Sequence, residues 1–466
     1  MKTEKVDWLN EQHINSAIGH AHSPDRAQID DIIAKSLELK GLSFDDVAVL
    51  CRVDSEDLLE PVFAAAKKVK EAIYGRRIVL FAPLYISNLC TNECLYCAFR
   101  RSNTQLTRRA LQREEIQSET RTILDQGHKR VLMVAGESYP KEDGFSYVIK
   151  AIEAVYAAKN ARGDSIRRIN VNVAPLTVDQ FKELKDSGIG TYQLFQETYH
   201  RPTYDQVHVS GKKKDFDWRV SAMDRAMQAG IDDVGIGPLF GLADWRFEVL
   251  AVMTHIQHLE KEFGIGCHTI SVPRIEPAVG SDMASAPPHA VSDQDFKKIV
   301  AILRLAVPYT GLIMSTRENA QMREATLELG VSQISAGSCT DPGGYTDSRN
   351  ESAAQFQLGD HRPLAEVIKD ISERGFIPSF CTACYRTGRT GHDFMEMAKP
   401  GAIKSKCDPN ALSTYLEYLI DYKPDGLSAC GREAIQSALG GMSERNQAKA
   451  RAMLEKVEQG QRDVFC

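Results

Sequence analysis

The sequence predicts a complete (β/α)8 barrel, the TIM-barrel fold, preceded by a helical extension and followed by a smaller C-terminal domain. Eight short β-rich runs alternate with amphipathic stretches of helical period between residues 78 and 375. Their combined length suits a barrel, which takes ~250 residues. A doubly wound open sheet is the competing fold, but it seldom repeats the unit eight times, and no GxGxxG motif follows the first predicted strand.

The predicted strands are apolar runs bounded by turn residues. In chain order they read RIVLFAPLYIS, RVLMVAGES, RRINVNVAP, TYQLFQETY, DDVGIGPLFG, HTISVPRIEP, GLIMSTRE and QISAGSCT. The intervening stretches have helical spacing, and several, such as TVDQFKELKDSG, end in the glycine that commonly closes a helix. These pairs define a predicted barrel domain over residues 76–375.

The two ends of the chain read differently from the centre. Residues 1–75 are predicted to form a helical extension, in which Ser43 caps the helix of SFDDVAVL. Residues 376–466 contain a second group of cysteines and a helical tail. We therefore expect a separate C-terminal domain over residues 376–466.

Composition narrows the class of partner. The 466 residues are 43% hydrophobic and 26% charged, which is typical of a globular protein. A net charge of -6 without a basic block argues against nucleic acid or an anionic membrane as the main partner. The N-terminal residues lack the apolar run of a signal peptide or a membrane helix. We expect a cytoplasmic protein that acts on a small molecule.

The cysteines indicate metal binding. Their number, 11, is odd, and six of them fall into two tight clusters, unlike a disulfide framework. Cys90, Cys94 and Cys97 form a CxxxCxxC array just after the first predicted strand, where barrel enzymes place their chemistry. Three thiolates on a four-iron cluster leave one iron open to another ligand. Zinc is the alternative, although structural zinc normally has four protein ligands.

With Tyr96 before its last cysteine, this array resembles that of the radical S-adenosylmethionine (SAM) enzymes. The resemblance implies that Cys90, Cys94 and Cys97 hold a 4Fe-4S cluster whose open iron binds the amino and carboxylate groups of SAM. It also implies a segment like the family's GGE, which receives the methionine amino group. That segment reads AGE here, with Ala135 in place of the first glycine, followed by Gly136 and Glu137.

The same resemblance extends to later strands. Glu197 and Arg219 match positions that contact the cofactor in biotin-synthase-like members. Gly235 and Gly237 in GIGP resemble the glycine-rich fifth strand that lies close to adenine. The alternatives are an ordinary surface ion pair for the first two residues and the packing of small residues inside a barrel for the glycines.

The second cysteine cluster consists of Cys381, Cys384 and Cys407. Alone, a CxxC pair with a distant cysteine suits a zinc knuckle or a redox pair as well as an iron–sulfur cluster. Together with CYRTGRTG, CDPNALSTYLEYLIDY and HTISVPRIEPA, it closely resembles the tyrosine lyases that mature FeFe-hydrogenase. Those enzymes cleave the Cα–Cβ bond of tyrosine to give p-cresol and dehydroglycine, which they convert to carbon monoxide and cyanide.

The resemblance implies that the second site is an auxiliary 4Fe-4S cluster with a fifth iron, held through a non-protein cysteine and a protein histidine. His268 is the candidate histidine, because neutral imidazole suits iron. It begins the sixth predicted strand, which places it at the barrel end opposite Cys90. A satisfied histidine at a strand end is the alternative. Small residues on the fifth and eighth strands could leave a passage between the two ends: Gly235, Gly237, Ala336, Gly337 and Ser338.

The substrate site is expected at the ends of the seventh and eighth strands. Arg317 is the predicted clamp for the carboxylate of tyrosine, because a guanidinium binds carboxylate with two parallel hydrogen bonds. Ser315, Ser335 and Ser338 are the predicted hydroxyl contacts, with Thr316 beside them. Arg274 and Glu276 on the sixth strand are reserve candidates, and a pair formed by the two is one option.

Partners follow from the resemblance. They are a ferredoxin or flavodoxin as electron donor and the other hydrogenase maturation proteins. Two alternative functions remain open: the tyrosine lyase of thiamine biosynthesis, which stops at dehydroglycine, and a non-catalytic carrier of iron–sulfur units.

Overall fold

The computed structural model describes residues 5–19, 23–347 and 353–466. These ranges contain mixed α/β structure whose strands fall into one large sheet and one small one. The strands are β1 (Arg77–Ser87), β2 (Glu93–Cys94), β3 (Arg130–Ala135), β4 (Arg168–Asn172), β5 (Tyr192–Gln193), β6 (His208–Ser210), β7 (Val234–Ile236), β8 (Thr269–Ser271), β9 (Gly311–Met314), β10 (Gln333–Ser335) and β11 (Ile377–Ser379).

The large sheet is a closed parallel barrel. Its order is β1-β3-β4-β5-β7-β8-β9-β10, and β10 returns to β1 with Val79 opposite Gln333. The predicted (β/α)8 barrel is thus confirmed, and each of the eight predicted runs contributes a strand. Several ladders are shorter than the predicted runs. The fourth run, for example, keeps only Tyr192 and Gln193 in regular pairing.

Helices surround the barrel and extend beyond it. They are α1 (Glu11–Gly19), α2 (Arg26–Leu37), α3 (Phe44–Leu50), α4 (Glu56–Tyr74), α5 (Arg113–Gln126), α6 (Ser146–Ala157), α7 (Val178–Asp186), α8 (Arg201–Val207), α9 (Phe216–Val220), α10 (Ala222–Gln228), α11 (Trp245–Phe263), α12 (Asp282–Ser285), α13 (Asp293–Ala306), α14 (Ala320–Leu329), α15 (Leu364–Glu373), α16 (Ala383–Arg386), α17 (Gly391–Ala398), α18 (Lys404–Tyr422), α19 (Ser428–Gly440) and α20 (Glu444–Glu458). In the described part of the chain, none is long and apolar enough to cross a membrane.

The helices before the barrel pack on its outer layer. α4 lies against α13 and α2, and α1 contacts α11. As predicted, Ser43 caps α3: its hydroxyl oxygen accepts a hydrogen bond from the Asp46 N–H at 3.1 Å. Burial of the apolar faces of these helices joins them to the core of the barrel.

The chain after the barrel begins inside the same sheet. β11 pairs in parallel with the first residues of β1, Arg77 opposite Ile377 and Val79 opposite Ser379. α18 then packs beside β11 and α20. This pairing fixes the C-terminal segment at the N-terminal end of β1. The domain limits 1–75, 76–375 and 376–466 stay predictions, and the sheet itself crosses the second of these limits.

Candidate active site

Three cysteines surround a cavity of about 160 Å³ at the C-terminal mouth of the barrel. Cys90 stands three residues after the end of β1, and Cys94 lies in β2, which pairs with β6. A turn closed by the hydrogen bond from Cys97 N–H to the Cys94 carbonyl, 3.1 Å, brings the third thiol to the same wall. The structure therefore brings together the CxxxCxxC array at the place where barrel enzymes carry out chemistry.

The thiols suit an iron–sulfur cluster better than a single ion. Burial raises the pKa of Cys90 and Cys94, and that of Cys97 to about 11, so the bare thiols hold their protons at neutral pH until a metal displaces them. In residues 5–19, 23–347 and 353–466, no three His, Cys, Asp or Glu side chains converge as ligands of one metal ion. A four-iron cluster is wider than an ion and accepts cysteines that stand further apart.

Two carboxylates and two cations form a buried network beside the cysteines. Arg219 donates to Glu137 at 2.7 Å, and its other terminal nitrogen lies 3.6 Å from Glu197. Lys213 donates to Glu197 at 2.6 Å, and Asn92 donates to Glu137 at 2.8 Å. Burial opposes ionisation of Glu137, but the charges of Arg219 and Lys213 hold its pKa below the usual range. The network differs from a surface ion pair, because the side chain of Arg219 is only 3% exposed to solvent.

The backbone of Glu197 is strained. Its φ of 72° lies in the left-handed region, which a residue with a Cβ seldom adopts. The carbonyl of Glu197 accepts a hydrogen bond from Leu239 N–H at 2.7 Å, and the side chain is held by Lys213. Such strain clusters at functional sites, where surrounding contacts over-determine the conformation.

The AGE segment lies on the cavity wall, whereas the two glycines of GIGP do not. Ala135, Gly136 and Glu137 all line the cavity. Gly235 is not on that wall, and a Cβ there would lie 2.5 Å from Thr269 Oγ1. Gly237 is not on it either, and a Cβ there would lie 2.4 Å from the Ser271 carbonyl oxygen. Both positions allow close packing inside the barrel.

Another part of the cavity wall carries the predicted substrate residues. Ser315, Thr316, Arg317 and Ser335 line it. The Arg317 guanidinium lies 3.3 Å from the centre of the Phe356 ring, and within the described residues it donates to no other side chain. Thr316 N–H donates to Ser335 Oγ at 3.1 Å, which joins the two strand ends. Tyr96, by contrast, is fixed by His208, with 2.9 Å between its hydroxyl and Nε2.

Two sequence expectations about this side are not met. Ser338 is not on the cavity wall, and its hydroxyl is buried without a hydrogen-bond partner within the described residues. Arg274 does not pair with Glu276. Its guanidinium donates to Glu318 at 2.9 Å and to Asp293 at 2.8 Å. Glu276 lines the cavity, and burial raises its pKa to about 7.

A second, smaller cavity lies at the opposite end of the barrel. Cys381, Cys384, Cys407 and His268 line it together. Cys381 stands just after β11, which pairs with the first residues of β1, whereas Cys90 stands three residues past the last residue of β1. The eleven residues of β1 therefore separate the two cysteine groups by on the order of 30 Å.

His268 is neutral, although two acidic residues, Asp232 and Asp233, lie near it. Burial lowers its pKa to about 3, helped by the charges of Arg168 and Arg130, so the imidazole has a lone pair for a metal at neutral pH. Its Nδ1 lies 3.5 Å from Asp233 Oδ1, beyond a normal hydrogen bond, and within the described residues it is buried without a hydrogen-bond partner. The Phe394 ring packs edge-on against it at 4.5 Å.

One cysteine of the second group is poised as a thiolate. A hydrogen bond from Cys407, together with the charges of Arg389 and Arg77, lowers the pKa of Cys384 to about 6 despite burial. The same contact, with burial, raises the pKa of Cys407 well above its usual value, because the two sulfurs share one proton. Thiolate is the form that binds metal. The donor set of three thiols and one neutral imidazole fits an iron–sulfur group.

Side chains occupy the barrel interior between the two cavities. Gln193 lines the first cavity and donates to Thr269 Oγ1 at 3.3 Å. Gln333 lines the second cavity, and both Gln333 and Thr269 crowd the position of Gly311. We call Gln193, Thr269 and Gln333 the interior layer. Of the small residues expected to open a passage, Gly235 lies against this layer, whereas a Cβ on Gly337 would meet Gln126 on α5, outside the barrel.

Sequence reasoning missed several residues of both sites. Asn92 and Lys213 contribute to the first site. Arg130, Arg168 and Asp233 line the second cavity. Each of those three stands at or just before the start of a barrel strand, as His268 does, and this shared position is the signal that could have grouped them.

Comparison with known proteins agrees with this geometry. The radical SAM superfamily matches residues 84–251, and the biotin and thiamin synthesis associated domain matches residues 271–377. A 2-iminoacetate synthase of Salmonella typhimurium is 33% identical over 347 residues, which are 74% of this chain and 89% of that protein.

Two solved structures resemble nearly the whole chain. A crystal structure of HydG, described as a maturase of the [FeFe]-hydrogenase, is 46% identical with a TM-score of 0.94, over 99% of this chain and 100% of that one. The HydG maturase of Carboxydothermus hydrogenoformans is 43% identical with a TM-score of 0.82, over 95% of this chain and 97% of that one. The similarity thus includes the segment that carries Cys381, Cys384 and Cys407.

Proposed function

The chain belongs to the HydG family of [FeFe]-hydrogenase maturases within the radical SAM superfamily, and on that premise we propose that it is a tyrosine lyase that forms carbon monoxide and cyanide. It would cleave the Cα–Cβ bond of tyrosine at the first site to give p-cresol and dehydroglycine. The second site would convert dehydroglycine to carbon monoxide and cyanide for the hydrogenase active-site iron centre. The observation that carries the proposal is the pair of three-cysteine sites at opposite ends of one barrel.

The first site fits a cluster with one open iron. Cys90, Cys94 and Cys97 would hold it, while the Glu137–Arg219–Glu197 network offers carboxylates for an ammonium group and a guanidinium for a carboxylate. When bound, a four-iron cluster and SAM supply reductive bond cleavage and the radical chemistry that follows it. The chain's own residues supply orientation and shield the reaction from water.

Tyrosine would bind on the side of the first cavity that carries Arg317. A guanidinium stacked on Phe356, with no side-chain acceptor among the described residues, is free to bind the substrate carboxylate. The hydroxyl of Ser315 and the Thr316 side chain lie on the same wall. This arrangement would point the amino group of tyrosine towards the cysteines. Glu276, whose pKa is raised to about 7 by burial, could exchange a proton there.

The second site would hold the auxiliary cluster through Cys381, Cys384 and Cys407. His268 would bind the additional iron, with Asp233 fixing its tautomer from Nδ1. A non-protein cysteine would complete the site. Arg130 and Arg168 would balance the negative charge of the thiolates, since both line the cavity.

Partners and location follow from this chemistry. We expect a ferredoxin or flavodoxin as electron donor and the other hydrogenase maturation proteins as recipients of the product. Free thiols in both groups require a reducing compartment, so we assign the reaction to the cytoplasm.

The test is product release from anaerobically reconstituted, reduced protein supplied with SAM and tyrosine labelled at its carboxyl carbon. Labelled carbon monoxide together with p-cresol is expected. Cys407→Ser should keep p-cresol release and lose carbon monoxide, whereas Cys97→Ser should lose both, because each substitution removes one thiolate from one site only.

Two outcomes would favour the other functions. Release of p-cresol without carbon monoxide by the native protein would point to a plain tyrosine lyase of the kind that serves thiamine biosynthesis. Reconstituted clusters without any cleavage of SAM would point to an iron–sulfur carrier. Loss of p-cresol in Cys407→Ser with an intact first cluster would contradict the division of labour between the sites.

A further inference from the structure

The outer wall of the first cysteine site is thin at one place. β6 lies directly outside the cysteine loop, with Ser210 opposite Glu93 and His208 opposite Cys94. Val209 and Ser210 are exposed to solvent. Adjacent strands lie ~4.8 Å apart, so the Cys94 backbone is only one strand from the protein surface.

The turn after β6 is pressed against the same loop. Gly211, with φ 93°, approaches so closely that a Cβ would lie 2.3 Å from Asn92 Oδ1. Lys213 N–H donates to that oxygen at 3.0 Å. Lys212 and Lys214, which flank Lys213, are therefore held over the residues between Cys90 and Cys94.

This area is basic on a protein that is acidic as a whole. Lys213 points inward to Glu197, but Lys212 and Lys214 are exposed. Arg101 is exposed on the other side of the loop, held by its N–H bond to the Asn92 carbonyl at 2.8 Å. Residues 91–102 and 208–215 contain five lysines or arginines and two carboxylates, in a chain whose net charge is -6.

An apolar side chain lies between these cations. Val209 is 47% exposed and is one of two large hydrophobic residues exposed in the described ranges. Transient electron-transfer complexes use small interfaces of this kind, in which charges steer the encounter and a little apolar area is buried. The path for an electron is also short, because Val209 lies in β6, the strand that pairs with Cys94.

We propose that Arg101, Val209, Lys212 and Lys214 form the docking surface for a small acidic one-electron carrier protein. The inference rests on the proposed function for the cluster that accepts the electron. In each encounter the carrier is oxidised by one electron and the cluster held by Cys90, Cys94 and Cys97 is reduced by one. Flavodoxins and ferredoxins share the required chemistry, an acidic face around an exposed redox group.

The first experiment measures binding alone. Oxidised flavodoxin is titrated with three full-length proteins, and the change in flavin fluorescence gives Kd. The proteins are the native protein, the double variant Lys212→Glu/Lys214→Glu and the double variant Lys40→Glu/Lys261→Glu. The last variant is the matched control, because its lysines are 80% and 82% exposed and lie elsewhere on the surface. We expect Kd to rise about tenfold or more in the first variant and to stay native in the control. The native affinity should fall as salt is added.

The second experiment measures electron transfer. The Lys212→Glu/Lys214→Glu protein should oxidise flavodoxin hydroquinone more slowly than the native protein, while dithionite should reduce the cluster to the same extent in both, as read from its electron paramagnetic resonance signal. If dithionite also reduces the variant more slowly than the native protein, the substitutions have damaged the cluster. The binding titration then decides by itself whether the two lysines belong to the docking surface.

Two results would overturn the inference. One is native Kd and native salt dependence in the Lys212→Glu/Lys214→Glu variant. The other is a native protein that binds neither flavodoxin nor ferredoxin at low salt. Failure of dithionite to produce any reduced cluster in the native protein would contradict the proposed function instead, since the binding titration does not depend on the cluster.

Discussion

The turn that carries Glu197 depends on a neutral carboxylic acid beneath it. Glu248 on α11 accepts hydrogen bonds from the Thr198 hydroxyl and, at 3.0 Å, from the Tyr199 N–H. Burial raises the pKa of Glu248 to about 8, in spite of these hydrogen bonds. The group is therefore protonated at neutral pH, and it anchors the residues that follow the strained Glu197 backbone.

We predict that Glu248 makes the protein less stable as the pH rises. An unfolded glutamate has a pKa of about 4.3, and Glu248 in the folded protein has one of about 8. The folded state thus binds the proton more tightly. The stability that protonated Glu248 contributes is fully present below about pH 4. It is lost as the pH rises from there through about 8, at on the order of 1 kcal/mol of unfolding free energy per pH unit.

Thermal unfolding at a series of pH values checks this prediction. Native Tm should fall between about pH 5 and about pH 8. In Glu248→Gln the fall should be smaller, because glutamine cannot ionise yet can still meet Thr198 and Tyr199. Parallel Tm curves for the two proteins would show that Glu248 does not titrate in this range.

Arg317 is the residue whose substitution should separate tyrosine binding from SAM binding. Arg317→Lys keeps the positive charge but loses the planar fork, so kcat/KM for tyrosine should fall roughly tenfold to a hundredfold, mainly through KM. The affinity for SAM, measured by equilibrium dialysis, should stay native. Arg246→Lys, on the outer helix α11, is the control. An unchanged KM in Arg317→Lys would remove Arg317 from the substrate site.

At the scale of elements, the end of β3 fixes the position of the cysteine loop. Gly136 N–H donates to the Ser87 carbonyl at 2.8 Å, and a Cβ on Gly136 would lie 2.3 Å from the Leu89 carbonyl oxygen. Leu89 directly precedes Cys90. The strand end and the loop approach each other closely only because residue 136 has no side chain.

Gly136→Ala should displace the loop without unfolding the barrel. Overpacking of this kind costs about 1–3 kcal/mol. We expect lower iron content after reconstitution and weaker binding of SAM, measured by iron analysis and by dialysis. Gly440→Ala is the control, since a Cβ there would meet nothing within 4 Å. Native iron content and native SAM affinity in Gly136→Ala would show that the loop tolerates the extra methyl group.

At the scale of the whole molecule, the two sites face away from each other. β1 runs from the second cavity to the first, with Val79 on one wall and Phe81 on the other. The interior layer of Gln193, Thr269 and Gln333 lies between them. Under the proposed function a small fragment of tyrosine must pass this layer, because the outside route would expose it to water.

A bulkier interior layer should uncouple the two half-reactions. Thr269→Leu should leave p-cresol formation near native and lower the ratio of carbon monoxide to p-cresol, at a stability cost of about 1–3 kcal/mol. Both products are measured in one assay. Thr269→Val is the control of equal size, and its ratio should stay near native. A native ratio in Thr269→Leu would mean that the fragment travels outside the barrel.

The barrel and its closure were predictable because the strand runs are local patterns of apolar residues that repeat eight times. The first cysteine group was also visible in the sequence, since Cys90, Cys94 and Cys97 stand within eight residues of one another. Arg317, Ser315 and Ser335 were found from their position at strand ends, where side chains converge in any barrel. The sequence did not distinguish Ser338 from these residues, because the conformation of the turn after β10 decides which way its hydroxyl points.

The sequence by itself determined the fold class, both cysteine groups and the residues at the first mouth, because these depend on spacing along the chain. Only the tertiary structure decided how distant residues meet: Lys213 with Glu197, Asp233 with His268, and β11 with the start of β1. Such contacts depend on the closure of the barrel, which brings residues from separate strands to one end. The same closure decided which neighbours Gly235 and Gly237 face, namely Thr269 and Ser271 of the adjacent strand.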